Sequence, residues 1–238
     1  MIPRQIHYVW VGGPLPEEQR GFIETWQTTN PDYEIVRWDE SNIDFSISPV
    51  KEAYDRQQWA KVADFVRLMV VAEHGGIYLD TDFRVFRSLD VLLRHACFYG
   101  FQHETHPTDW VANGAFGAEA NHWFIRKALA RSLAMPKSRF GLERPTAFGP
   151  KLITKLLREE GLHAYSPEGT LVKDIFICSV PVFYPFSMEE KFTPTCVTAQ
   201  TLAAHFWSRS WEKDLPPLIR RFRKARRTMR AVGRSLMT

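Results

Sequence analysis

The stretch Ala63-Asp64-Phe65-Val66-Arg67, followed by Glu73-His74-Gly75-Gly76-Ile77-Tyr78-Leu79-Asp80-Thr81-Asp82, decides the fold. Val62, Phe65, Val66, Met69 and Val70 recur at i, i+3, i+4, i+7 and i+8, one face of a helix that the pattern extends from about Val50 to His74. Gly75-Gly76 stops it. The first glycine supplies a left-handed cap, and the second lets the chain reverse into the apolar strand Ile77-Tyr78-Leu79. Asp80 and Asp82 thereby fall at the C-terminal end of a buried strand, the edge where open α/β sheets bind ligands.

Working outward, Ile6 to Val11 reads as a buried strand ended by Gly12-Gly13-Pro14, and residues from about Glu17 to Thr28 read as a helix broken by Asn30-Pro31-Asp32. Tyr33 to Trp38 is a second strand. Strand, helix, strand opens an α/β fold with a parallel pair. Downstream, strands are predicted near Cys97 to Phe101, Ala112 to Gly117, Ile175 to Ser179 and Val182 to Tyr184, with helices near Asn121 to Ala134 and Gly149 to Glu160. No repeat or low-complexity linker divides the chain, so residues 1–212 read as one domain and 213–238 as a tail.

Hydrophobic residues at 45% and charged residues at 24% are ordinary for a globular domain with one sizeable core. Aromatic residues at 13% exceed what a minimal core needs, and suggest a groove or a membrane-facing surface. Cys97, Cys178 and Cys196 are widely spaced and odd in number, which fits unpaired thiols in a reducing cytoplasm. No apolar run is long enough for a signal peptide or a membrane span.

The net charge of +4 is misleading, because eight of the 31 basic residues and none of the 27 acidic ones follow Asp214. The body is acidic and the tail basic. Leu218, Ile219, Phe222, Ala225, Met229, Val232 and Leu236 can form one helical stripe with arginines around it. Such a helix would lie on an anionic membrane, while a solvated tail is the bland alternative. Nucleic-acid binding is disfavoured by the acidic body and by the absence of a recognition motif.

Two aspartates one residue apart at a turning strand end can aim their oxygens at one hard divalent cation, which completes its shell with water and substrate phosphates. A solvated turn could carry the same motif. Asp64 and Arg67, one turn apart and opposite the apolar stripe, could equally be an exposed ion pair worth about 0–1 kcal/mol. Asn113-Gly114 has the form of a hairpin turn. The loop Gln102-His103-Glu104-Thr105-His106 could be read as a metal cluster, but its spacing suits a polar loop on the acceptor side better.

Taken together, the stretch 63–67 and 73–82 resembles the signature of the sugar-binding-region DXD glycosyltransferases of family 32, with the clostridial glucosylating toxins as more distant relatives. Ile2 to Gly12 is similar to the family's first strand, and Pro31-Asp32-Tyr33, Trp38-Asp39-Glu40, His205-Phe206-Trp207 and Ser210-Trp211 match further elements. The resemblance implies a GT-A fold, a Rossmann-like mixed α/β single domain that binds a nucleotide sugar with Mn²⁺ or Mg²⁺. It places Val9 and Trp10 at the base, Asp64 and Arg67 on the donor sugar and diphosphate, Asp80 at the ribose and a metal-bound water, and Asp82 on the metal. Tyr78 and Thr81 fall within the same donor-binding stretch, Asn113 near the donor sugar, His205 on the metal or a phosphate, and Trp211 over the phosphates.

The implied reaction is transfer from a UDP- or GDP-sugar to a glycan or lipid-linked acceptor hydroxyl, with retention of configuration. The family includes yeast initiating mannosyltransferases with an N-terminal membrane anchor; because the first strand here begins at once, no such anchor is expected, and the expectation is a bacterial or viral enzyme in the cytoplasm, associated peripherally with the inner membrane face through the tail. Two other classes share some of these features. A nucleotide-sugar or glycan binding protein would keep the site without turnover, and a phosphatase of the haloacid dehalogenase class would open its fold on the DxD strand, whereas here two strands precede it.

Overall fold

The computed structural model describes residues 1–105, 108–134 and 149–208. In chain order the elements are β1 (Gln5–Val9), α1 (Glu17–Thr29), β2 (Glu34–Trp38), α2 (Ser48–Asp55), α3 (Trp59–His74), β3 (Gly76–Leu79), β4 (Phe83–Val85), β5 (Cys97–Phe101), β6 (Val111–Ala118), α4 (Trp123–Leu133), α5 (Gly149–Glu159), β7 (Thr170–Val172), β8 (Ile175–Cys178), α6 (Val180–Phe183) and β9 (Ala203–His205). Seven strands form one sheet in the order β2-β1-β3-β6-β5-β8-β7, and β4 pairs with β9 in a small separate ribbon. β1, β2 and β3 run parallel, as do β5 and β8, while β6 and β7 run against their neighbours. This is the expected mixed α/β sheet.

Each sheet face is covered. Val62, Phe65 and Val66 of α3, Phe124 of α4 and Leu156 of α5 pack one face, and Trp26 of α1, Phe183 of α6 and the β4–β9 ribbon pack the other. The aromatic surplus goes into these cores, since Trp26, Tyr78, Tyr99, Phe65, Phe83, Phe98 and Phe183 are among the largest fully buried side chains. Among the described residues no helix is long and apolar enough to cross a membrane. The cysteines Cys97, Cys178 and Cys196 are free.

Two predicted elements take another form. The helix expected from Val50 to His74 is two helices, because Gln57 adopts φ +56° after Arg56. Gln58 N–H donates to the Ala53 carbonyl at 2.9 Å and Gln57 N–H to Tyr54 at 2.8 Å, the paired bonds of a Schellman stop with glutamine in the place usually held by glycine. The strand expected at Val182 to Tyr184 is instead the short helix α6, with Pro181 in its first turn, where a missing N–H costs nothing.

The Gly75-Gly76 stop holds, with a different geometry at its first position. Gly75 sits at φ 70°, ψ −155°, outside the left-handed helical well, and Gly76 at φ +91°. A Cβ on Gly76 would lie 2.8 Å from His7 Nε2 and 2.9 Å from the Gln5 carbonyl, so β1 and the turn are in backbone contact. His7 closes this junction. Its Nδ1 accepts from Trp38 Nε1 at 3.2 Å, which leaves Nε2 to donate to the Gly75 carbonyl at 3.0 Å.

Burial lowers the His7 pKa to about 4 from the ordinary 6.5. The unfolded chain therefore binds a proton between these values that the folded chain excludes. Stability from this residue is complete above pH 6.5 and is lost as pH falls towards 4, by an amount on the order of 3 kcal/mol. Thermal melts from pH 7 to 4 are expected to show a steeper fall in Tm for the native chain than for His7→Gln.

Candidate active site

The DxD stretch is built at the C-terminal end of β3. Antiparallel pairing of β3 with β6 sets Leu79 opposite Ala115, and the ladder extends one step further as Asp80 N–H donates to the Gly114 carbonyl at 2.8 Å. A Cβ on Gly114 would lie 2.7 Å from Asp80 Oδ2, so only glycine lets the carboxylate lie against β6. Asn113-Gly114 is therefore mid-strand and not a hairpin turn, because the strand continues to Ala118. Gly114→Ala is expected to displace Asp80 and to weaken Mn²⁺ binding at least tenfold, read by titration, at a packing cost of about 1–3 kcal/mol.

Arg67 reaches this turn from α3. Its guanidinium donates to the Asn113 carbonyl at 2.8 Å, pairs with Asp80 at 3.1 Å and Asp64 at 3.4 Å, and lies 4.7 Å from the Tyr78 ring centre. With 7% and 22% of their side chains exposed, Arg67 and Asp64 are not the solvated pair that helix spacing also allowed. The α3 face opposite the apolar stripe looks along the sheet edge, where β3 and β6 shield it. Burial works against the Arg67 charge, but Asp80, Tyr78 and Asp64 outweigh it and raise its pKa. Burial lifts the Asp64 carboxyl above its usual range, offset in part by Arg67 and by the Asn113 amide, which donates to it at 2.9 Å.

Asp82 is held from the other side. Its carboxylate accepts from Ser208 N–H at 2.8 Å and lies 2.9 Å from His205 Nε2, and its carbonyl accepts from Phe206 N–H at 2.8 Å. These contacts exist because β4, which follows the DxD directly, pairs with β9 so that Phe83 faces His205. Burial disfavours charge on Asp82, yet His205 outweighs it and the carboxyl lies below its usual range. Reciprocally, burial lowers His205 and Asp82 raises it, with Asp82 prevailing. Burial raises Asp80, against the pull of Arg67, and Tyr78 donates to that carboxylate at 3.0 Å.

Asp80, Asp82 and His205 offer three ligand atoms within 4.8 Å of one another. An ion with ligands at about 2.1 Å spans roughly 4.2 Å between opposite ligands, so slight closure suffices for Mn²⁺ or Mg²⁺. Two carboxylate oxygens and one imidazole nitrogen are suitable donors. The residues fit the group. Among the described residues this is the one such grouping, so the reading of the loop 102–106 as a metal cluster gains no support, and His106 lies outside them.

Thus Asp64, Arg67, Tyr78, Asp80, Asp82, Asn113 and His205 converge, with Thr81 part-exposed between the two aspartates. Val9 and Trp10 stand at the same sheet edge, at the end of β1. Val9 is buried, while Trp10 is part-exposed and donates through Nε1 to the Gly13 carbonyl at 3.1 Å. Trp211 and the tail 213–238 lie outside the described residues. Reading the sequence missed Gly114, Ser208 and Tyr184, whose buried ring meets His205 edge-on at 5.7 Å between centres. Only the Gly after Asn113 carried a local signal, and it pointed to a turn.

Residues 16–99 match the family described as the glycosyltransferase sugar-binding region containing the DXD motif. Inositol phosphoceramide mannosyltransferase 3 of Schizosaccharomyces pombe is 30% identical over 149 residues, covering 60% of this chain and 40% of that protein. An uncharacterized glycosyltransferase, L373, of Acanthamoeba polyphaga mimivirus is 30% identical over 131 residues, covering 51% and 52%. The chain thus spans about half the length, or less, of these curated relatives. The solved structure of PaToxG glycosyltransferase superposes with a TM-score of 0.54 at 19% identity, over 67% of this chain and 70% of that one, a likeness of fold. The fold is GT-A, and what ties this chain to the glycosyltransferases by sequence is the match of residues 16–99 to the DXD-containing sugar-binding region.

Proposed function

We propose that this protein is a metal-dependent glycosyltransferase that moves a sugar from a UDP- or GDP-sugar to a hydroxyl of a glycan or glycolipid, with retention of configuration. The observation that carries the reading is the convergence of Asp80, Asp82 and His205 beside a buried Arg67 at the C-terminal sheet edge. When bound there, Mn²⁺ or Mg²⁺ would neutralise charge developing on the leaving diphosphate. The imidazole nitrogen favours Mn²⁺ over Mg²⁺.

Arg67 is already fixed by four acceptors, so its positive charge is oriented before donor arrives and need not reorganise. Asp64 and Asn113 present a carboxylate and an amide to the sugar hydroxyls, which both donate and accept. Trp10 at the end of β1 supplies a ring for the base, with Val9 offering its backbone. The glycolipid acceptor is supported by the relatives named as inositol phosphoceramide mannosyltransferases. A basic tail helix at an anionic membrane surface would suit such an acceptor.

The test is a screen of UDP- and GDP-sugars for release of nucleoside diphosphate with Mn²⁺, Mg²⁺ or chelator. One donor is expected to be hydrolysed in the presence of metal and spared by chelator. If no donor turns over but one shifts Tm with metal present, the protein binds nucleotide sugars without catalysis; if none turns over and none shifts Tm, the nucleotide-sugar reading fails.

A further inference from the structure

We propose that Gly149 sets the size of the sugar admitted to the Asp64–Asn113 pair, an inference that rests on the donor reading above. Among the described residues, the partners of the Asp64 carboxylate, the Asn113 amide at 2.9 Å and Arg67 at 3.4 Å, contact Oδ1. The other oxygen, Oδ2, faces the first residue of α5. Among the described residues, and leaving aside its chain neighbours, a Cβ built on Gly149 would have as its three nearest atoms Asn113 Nδ2 at 3.8 Å, Asp64 Oδ2 at 3.8 Å and Asn113 Oδ1 at 3.9 Å. The space left by the missing side chain is therefore walled by one donor and two acceptors.

That wall matches a sugar. Neighbouring hydroxyls each donate one hydrogen bond and accept others, and to bond these atoms a hydroxyl oxygen must come within about 2.8 Å of them. A methyl group at 3.8 Å would fill the volume such an oxygen needs. Protein packing does not require the absence of that methyl, since 3.8 Å is ordinary van der Waals contact. Gly114 differs, because its Cβ would strike Asp80 at 2.7 Å. Two reasons for glycine remain at position 149, its backbone at φ +61° and the ligand space in front of it.

Two substitutions separate these reasons. Asparagine tolerates positive φ better than alanine does, but it is larger. If backbone strain alone matters, Gly149→Asn will lie nearer the native protein than Gly149→Ala. If space decides, it will lie further away. The experiment compares kcat/KM for the best UDP- or GDP-hexose found in the screen with Kd for the corresponding free nucleoside diphosphate and Mn²⁺, and includes the matching pentose donor.

The expected result is a loss of roughly tenfold in hexose kcat/KM for Gly149→Ala and a larger loss for Gly149→Asn, the scale at which one methyl group discriminates in a pocket. Nucleoside diphosphate affinity stays within about twofold, and the pentose donor, lacking the exocyclic hydroxymethyl group, loses less than the hexose. Equal losses in donor turnover and nucleotide affinity, or an asparagine variant more active than the alanine one, overturn the inference. Native turnover with variants unchanged refutes the role of Gly149 alone, whereas no turnover of any donor by the native chain refutes the transferase reading and this inference with it.

Discussion

Asp82→Asn is expected to reduce metal-dependent donor hydrolysis by about 10³-fold, a loss of about 4 kcal/mol of transition-state stabilisation. Asparagine keeps the shape of the side chain, so Ser208 N–H can still find an oxygen, but the charge that offsets a cation is gone. The effect should exceed that of Asp80→Asn. Asp80 already shares its charge with Arg67 and Tyr78, whereas Asp82 has His205 and a backbone amide as its partners. Steady-state release of nucleoside diphosphate, with Tm as a control for folding, checks this. Comparable losses for the two variants would mean that the aspartates act as one unit, and not with Asp82 as the principal ligand.

The second large effect is on stability as well as turnover. Arg67→Ala would leave Asp64 and Asp80 in a shielded site without their shared cation, and breaking a buried pair from one side costs about 3–5 kcal/mol. For a chain of this size that corresponds to a fall in Tm of roughly 10 °C. Arg67→Lys keeps the charge without the planar fork that reaches Asn113, Asp80 and Asp64 together, and is expected to fall between the two in Tm while turning over no better than the alanine variant. Scanning calorimetry reads the first quantity and the donor assay the second.

Much of this was legible in the sequence, for identifiable reasons. The helix ending at Gly75-Gly76 and the strand after it announce themselves through periodicity and backbone demand, and that junction alone fixes the position of Asp80 and Asp82. Tertiary effects were hidden. The break at Gln57 uses a residue with no special preference for positive φ, so nothing local marks it. The face of α3 bearing Asp64 and Arg67 is polar by pattern, and only the docking of β6 across its end turns a solvated surface into a shielded one. His205 entered by resemblance. Its approach to Asp82 depends on the β4–β9 ribbon, a pairing of three residues with three across more than a hundred positions of chain.

Gly114 illustrates the same limit more sharply. Asn-Gly is the strongest short signal for a hairpin, yet here the glycine serves close approach within a strand. What the fold needs at that point is the absence of a side chain beside Asp80, which no periodicity can express.

Asp80, Asp82 and His205 are proposed to hold one divalent cation together with the donor's diphosphate. The most direct test is Mn²⁺ titration followed by electron paramagnetic resonance, on the native chain and on Asp82→Asn, with and without UDP or GDP. One Mn²⁺ per native chain is expected, bound more tightly with nucleoside diphosphate present and lost in the variant. Mn²⁺ binding that is unchanged by Asp82→Asn and indifferent to nucleotide would contradict it.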